Sequence, residues 1–598
     1  YTFARSPYGL KSPQDMSNWG WRTTKFVARK GWKWYLLHPV LARLTANFAP
    51  SLLPVFYATY SSIFVAWLFG WEVLVLFLGQ HAAFYAVTWF RKPTIHWTVT
   101  IAGVAYAMWC FATNEQSAAL PRSMRYTFAR SPYGLKSPQD MSNWGWRTTK
   151  FVARKGWKWY LLHPVLARLT ANFAPSLLPV FYATYSSMFV AWLFGWEVLV
   201  LFLGQHAAFY AVTWFRKPIL CYAVAFAIHF QKFVIPYEWE EYMYPKYGIM
   251  PYRAAFVTFH WNLMRGISFS LEFIRSQRAK TGESRRQNWP PYWKTLAYSF
   301  YLPTVYMGPP QNYDDFLVQM NKPRPSCTLL EIASCVGRIL RSGAHYLLME
   351  LMTHYLYSAA ISKQSMVVAT LDPTSIVGLA LALLFSFYVR YFFTYGFPGA
   401  LGRAEGFDVP PPGKCIARMS RCSFFWRHFD RGMHLWIRRY IYEPVVGEGK
   451  RFVRLILGAA VAFTFTWAWH SMLTRDAIWC SLSVLGITLE VLVVEIRKWQ
   501  PIRNLESRYL ASPHRMRVVT ALIGAPQFML TICACLFHLA ELDTILVICR
   551  KTVTGFPFPL VPVLAVLYCA CHAAMDAEEW EESAATRKKQ LPHKLHTK

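Results

Sequence analysis

Apolar residues in this chain are gathered into long blocks instead of alternating with polar ones. The blocks cover 52–71, 73–90, 177–196, 198–215, 219–237, 376–396, 452–470, 477–495, 519–541 and 556–573. A helix needs about 20 apolar residues to cross a bilayer, and several blocks approach that length. Shorter or polar-interrupted blocks are predicted to tilt, to re-enter, or to pair inside a bundle. The predicted fold class is therefore all-α, a polytopic multi-pass membrane protein.

The stretches between the blocks carry most of the polar chemistry. Residues 238–262 place Glu238, Glu240 and Glu241 among tyrosines, which predicts an interfacial loop leading into a helix. Arg265 and Glu272 follow, seven residues apart, so they share a helical side as a buried pair supporting the bundle. Pro303 is placed to start or kink a helix, and Gly308-Pro309 to stop one. Residues 328–361 read as one long helix, with His345, Glu350 and His354 making interior polar contacts or lining a cavity. Glu350-Leu-Met-Thr-His354 is not the zinc motif, which has histidines at both ends with Glu beside the first. Residues 407–415 are too rich in Pro and Gly to span a membrane and read as an ordered loop.

Residues 1–93 recur at 126–218 with one difference, Ile63 against Met188. Structural repeats drift wherever packing does not decide the residue, so a near-verbatim copy points to recent duplication or a gene-model artefact, not a functional two-fold. Two parts are expected: 1–125, the extra copy of the first membrane block plus a joining segment, and 126–598, the complete unit with a short basic tail. Each copy opens with interleaved Trp, Lys and Arg (Asn143 to Arg147, Lys155 to Tyr160), suited to the headgroup level.

The net charge of +32 first suggests nucleic acid, but its distribution argues against it. Lys and Arg cluster in short connectors, such as 278–286 and 421–439, as expected for loops touching membrane lipids. The twelve cysteines are scattered, mostly in apolar stretches, and make no disulfide framework. The chain begins Tyr1-Thr-Phe, without Met or a signal-peptide pattern, and reads as truncated there. Its basic tail is not a clean retrieval signal.

Two ionisable residues stand out. His470 ends the apolar run Val461–His470, next to Trp469 and near Trp467, and Asp430 lies forty residues upstream in Trp426-Arg-His-Phe-Asp430-Arg-Gly-Met-His434. Ionisable groups in hydrocarbon are costly and tend to mark function. A neutral imidazole there can take a proton from an amine, hydroxyl or thiol. Asp430 either orients the nucleophile or stabilises developing charge. The other reading of both is structural: an interfacial helix whose Asp430 and His434 share a face, and a satisfied histidine. Cys415 is a plain thiol, a lipidated cysteine or an axial haem ligand.

The segment 424–470 resembles the membrane-bound O-acyltransferase superfamily, nearest to its hedgehog acyltransferase branch with the insect Rasp-type proteins. That branch shows Trp-Arg-Tyr-Phe-Asp-x-Gly-Leu-His and then Arg-Tyr-x-Tyr-x-Pro; here stand Trp426 to His434 and Arg439-Tyr-Ile-Tyr442-Glu-Pro444. The likeness extends over about 134–578 and takes in Ser268 to Glu272, Gly308-Pro309, Glu350 to His354 and Arg403 to Gly406. It implies a helical bundle with a central acyl tunnel in the endoplasmic reticulum membrane, with the Golgi membrane as a second location. It implies palmitoyl-CoA as donor and the N-terminal cysteine amine of a Hedgehog-type secreted precursor, or a Spitz-type ligand, as acceptor. Asp430 and His470 would carry the chemistry, Trp426, His434, Trp467 and Trp469 would line or gate the tunnel, and Cys415 would hold haem B. Two departures are visible: Ser471 stands where the family commonly has Gly, and the first helix expected upstream of 126 is replaced by the duplicated block. An inactive relative in the branch lacks the histidine that this chain keeps.

Overall fold

The computed structural model describes residues 3–4, 14–15, 19–70, 74, 93–114, 128–234, 236–279, 289–322, 328–449, 451–470, 472–555 and 559–590. Apart from two-residue strand pairs, the regular structure there is helical, as the blockwise pattern predicts. Seven described helices are long and apolar enough to cross a membrane. The chain divides into two compact units, Tyr1–Ile95 and His96–Lys598.

The first unit contains α1 (Trp19–Phe48) and α2 (Leu53–Phe69). Tyr60 Oη donates to the Trp34 carbonyl at 2.6 Å, closing the hairpin. The apolar block 73–90 falls almost wholly outside the described residues. The second unit takes in nearly all of α3 (Pro93–Thr113), whose His96 stacks on His572 at 4.2 Å and whose Phe111 is fully buried. It then repeats the hairpin as α4 (Trp144–Phe173) and α5 (Leu178–Phe194), with Tyr185 Oη donating to the Trp159 carbonyl at 3.0 Å. Equal sequence gives equal local structure. Burial is not equal: 44% of the Pro175–Phe194 span is buried, against none of Pro50–Leu68. In the second copy His163 and Tyr182 reach the buried Glu405 at 2.6 and 3.0 Å, and Tyr301 joins them at 3.0 Å.

Next come α6 (Trp196–Thr213), α7 (Pro218–Val234) and α8 (Ile249–Ala279). The expected interfacial loop at 238–262 is instead a helix, Pro236–Tyr247, followed by the start of α8. The expected Arg265–Glu272 pair does not form. Arg265 donates to Asn262 Oδ1 at 2.8 Å, while Glu272 takes a bidentate bond from Arg439 at 2.7 and 2.8 Å. A planar guanidinium from the connector fits the carboxylate fork better than a neighbour two turns away on the same helix. Leu302–Val305 starts at Pro303 as expected, and Gly308 (φ 98°) turns the chain where a Cβ would strike the Pro303 carbonyl.

The long helix expected over 328–361 is α9 (Leu329–Tyr355), opened by a capping box between Thr328 and Glu331. Its Glu350 is a buried acceptor for four donors from one N-terminal stretch: Tyr133 Oη at 2.8 Å, Gln139 Nε2 at 3.2 Å, Trp146 Nε1 at 2.6 Å, and the Lys150 ammonium. One turn on, His354 bonds the Glu350 carbonyl at 2.6 Å and Ser131 Oγ at 3.0 Å. The motif Glu350 to His354 thus clamps residues 131–150 to α9.

The C-terminal half holds α10 (Pro373–Ala404), two short helices α11 (Cys422–His428) and α12 (Arg431–Ile437), and then α13 (Phe452–Trp469), α14 (Thr474–Ile496), α15 (Pro513–Leu539), α16 (Leu542–Val553) and α17 (Leu560–Gln590). α11 and α12 are separated by a break at Phe429 and Asp430, and a π-helical turn, Arg438–Tyr442, follows. One buried cluster joins α10, α11, α14, α15 and α16.

Candidate active site

A cavity of about 600 Å³ opens between α10, the 423–447 connector, α13, α14 and α15. Pockets of roughly 300–1,000 Å³ suit small-molecule ligands. Asp430, His470, Trp426, His434 and Trp469 all line it. The two ionisable groups singled out from the sequence therefore face one enclosure, although they lie on different elements.

Asp430 is where the connector breaks. Its side chain caps α12, accepting from the Met433 N–H at 3.0 Å, and its other oxygen accepts from Tyr395 Oη at 2.7 Å. Asp at an N-cap satisfies an orphan donor that a helix interior would not offer. Asp430 and His434 are thus cap and first turn of α12, joined by the His434 N–H to the Asp430 carbonyl at 2.9 Å, and both line the cavity. Burial lifts the Asp430 carboxyl to about 6, against the opposing pull of its two hydrogen bonds. Burial, and then the guanidiniums of Arg427 and Arg438, push His434 down to about 4, so it is neutral at neutral pH.

His470 ends α13, its N–H bonded to the Thr466 carbonyl at 3.1 Å. Beyond it the chain turns sharply into α14, with Met472 in the left-handed region at φ 53°. Ser471 lies outside the described residues. His229 on α7 donates from Nε2 to the Ala468 carbonyl at 2.7 Å and stacks on Trp469 at 5.1 Å, which fixes this helix end from behind. Trp479 on α14 meets the His470 ring edge-on at 5.2 Å, and Trp426 packs between Phe463 and Trp479.

Two expected participants stand elsewhere. Trp467 does not line the cavity: its indole N–H donates to the Leu473 carbonyl at 3.3 Å, because one residue along a helix is a turn of about 100° from the next. Cys415 does not line it either. It precedes a short 3-10 turn, and burial raises its thiol above the ordinary value. No group of three or more metal-ligating side chains occurs among the described residues. Nothing among the described residues around Cys415 supports a haem site.

Sequence reasoning missed Tyr395, Asp476 and His538. Tyr395 carries no signal, since a tyrosine in an aromatic-rich block is ordinary. His538 had the same signal as His470, an ionisable ring in an apolar run, and lines the same cavity.

A site of this kind, polar groups closed inside a bundle of apolar helices, defines a multi-pass helical membrane protein with an internal small-molecule chamber. Residues 241–533 match the family model for MBOAT, the membrane-bound O-acyltransferase family, and the chain carries a domain of that family. The match contains Asp430 and His470. The chain is similar to protein-cysteine N-palmitoyltransferase HHAT of Mus musculus, 31% identical over 318 residues, covering 51% of this chain and 61% of the relative. It is also similar to the HHAT-like protein of Mus musculus, 27% identical over 70% of this chain and 80% of the relative. A third relative is Rasp of Drosophila melanogaster, 26% identical over 56% of this chain and 64% of the relative. The chain thus spans about three fifths of the length of HHAT and of Rasp.

Proposed function

We propose that this protein transfers a palmitoyl group from palmitoyl-CoA to the N-terminal cysteine amine of a secreted Hedgehog-type protein. The observation that carries this reading is the shared enclosure of Asp430 and His470 in a largely apolar cavity. The named activity of the relatives, protein-cysteine N-palmitoyl transfer, supplies the substrate pair.

The reaction needs one proton acceptor and one site for developing charge. The amine nitrogen attacks the thioester carbonyl carbon, and His470 takes the amine proton. The tetrahedral intermediate collapses, the carbon–sulfur bond breaks, and the CoA thiolate leaves, receiving the proton. No acyl-enzyme is required. Arg427 and Arg438 line the cavity on the connector side and suit the anionic nucleotide of the donor. The aromatic walls suit the acyl chain. We place the enzyme in the endoplasmic reticulum membrane, where a secreted acceptor is available, and take 126–598 as the working unit, with 1–125 the extra copy and its joining segment.

The family description, an O-acyltransferase, favours a second reading in which the acceptor is a lipid or sterol hydroxyl. One experiment separates the two. The purified full chain is incubated with palmitoyl-CoA and either a peptide with a free N-terminal cysteine or a lipid alcohol, and products are identified by mass. An amide on the peptide, abolished by blocking its amine, supports the first reading. An ester on the alcohol with no peptide product overturns it.

The elevated Asp430 makes a pH prediction. Its folded value lies above the ordinary carboxyl value, so folding favours the neutral acid; that contribution to stability is full below the ordinary value and is lost as pH rises through about 6. Transfer that uses the carboxylate should fall as pH drops through about 6. The Tyr395 hydroxyl donates to Asp430 and favours the anion, so Tyr395→Phe should move this limb to higher pH. A pH profile of kcat/KM for Y395F that overlays the parent would refute the assignment.

A further inference from the structure

The cavity has a second histidine. His538 on α15 has its Nδ1 3.1 Å from Asp476 Oδ1, within hydrogen-bond distance. Asp476 is 4% exposed and is not among the lining residues, whereas His538 is. A carboxylate on Nδ1 fixes that nitrogen as the donor and leaves Nε2 as the unprotonated nitrogen of the neutral ring. The His538 ring meets His470 edge-on at 4.9 Å, at 71° between planes. Trp479 closes the assembly, 4.3 Å from His538 and 5.2 Å from His470.

Other ionisable groups surround the pair. Arg475 is engaged with Glu541 at 3.1 Å, and Cys480 lies on the same helix as Asp476. Cys535 on α15, Tyr391 on α10, and Asp430, His434, Arg427, Arg438, Tyr442 and Glu443 on the connector also face the chamber. Among these, Asp476 is the carboxylate bonded to the imidazole that touches His470.

We propose that Asp476 and His538 are positioning residues for His470: His538, held in one tautomer by Asp476, fixes the His470 ring, and the Asp476 carboxylate compensates the charge His470 gains on taking the substrate proton. This rests on the reading of His470 as the base in the proposed transfer. It adds two residues that neither the motif around His470 nor the matched segment 241–533 singles out, His538 lying outside that segment.

The test uses the full chain and the variants Asp476→Asn and His538→Gln. Asn keeps the shape at 476 but removes the charge and offers a donor to Nδ1; Gln at 538 keeps a polar group near Asp476. Each variant is expected to lower kcat for palmitoyl transfer by about 10–100-fold, less than the roughly 100–10,000-fold contribution of the acid–base group it positions. KM for palmitoyl-CoA should stay within about two-fold, since the acyl walls are intact. A second readout does not need turnover: the rate at which diethyl pyrocarbonate modifies His470 at pH 6, mapped by mass. Loss of the carboxylate should raise the neutral fraction of His470, and D476N should be modified several-fold faster than the parent. Parental kcat in both variants, a rise in KM matching the loss of rate, or unchanged His470 reactivity in D476N would each overturn the proposal. If both variants fail to bind a non-hydrolysable palmitoyl-CoA analogue, the pair is structural and the proposal is also overturned. If the parent itself shows no transfer, the functional reading fails, and His470 reactivity still decides this one.

Discussion

Under the proposed function, His470→Ala is expected to remove acyl transfer while leaving the fold in place. The expected loss is at least about 100–10,000-fold in kcat, the usual contribution of a positioned acid–base group. The fold survives because His470 caps the end of α13 through its backbone N–H, a bond that alanine keeps. The side chain faces the cavity, so its removal enlarges a space already about 600 Å³ in volume and uncovers no core. The check is a purified H470A chain that elutes as the parent does and binds the same non-hydrolysable donor analogue. Parental product yield from such a sample would end the case for His470 as the base.

Glu350→Ala produces the largest loss of stability expected from one side chain away from the cavity. Four donors converge on that carboxylate, and it is 3% exposed. Removing one partner of a buried ion pair costs about 3–5 kcal/mol, because the other charge stays buried without compensation. Here Lys150 is that charge, at 13% side-chain exposure, and the Trp146 and Gln139 donors lose their acceptor as well. Thermal unfolding of E350A in detergent should begin well below the parent. Lys150→Met in the same background should recover part of the loss, since it removes the stranded cation. An E350A midpoint equal to the parent's would show that water reaches the site and replaces the carboxylate.

The helical fold was legible because apolar blocks of spanning length have few other solutions, and the helix start expected at Pro303 fell where it should. Local patterns failed where long-range partners decide. Asp430 and His434 face one cavity, as their i, i+4 spacing suggests, yet Tyr395 and the Met433 N–H hold Asp430 as a cap and end the preceding helix. Arg265 and Glu272 fit a two-turn spacing, yet Arg439, 167 residues beyond Glu272, takes the carboxylate. The site was half legible. His470 stood out by its neighbours, and His538 carried the same sign but lies in a helix where Cys533 and Cys535 draw attention first. Asp476 sits in the first turn of α14, where an acidic residue is ordinary helix chemistry.

The clamp on Glu350 has a bearing on biosynthesis. Its donors Tyr133, Gln139, Trp146 and Lys150 recur in the duplicated sequence as Tyr8, Gln14, Trp21 and Lys25. Domains emerge from the ribosome in order, and the amino-terminal set is made first. When α9 is completed, its carboxylate meets two chemically equivalent claimants, and only tethering and insertion geometry separate them. Capture by the earlier claimant would leave Lys150 and Trp146 without their acceptor and the hairpin behind them unseated.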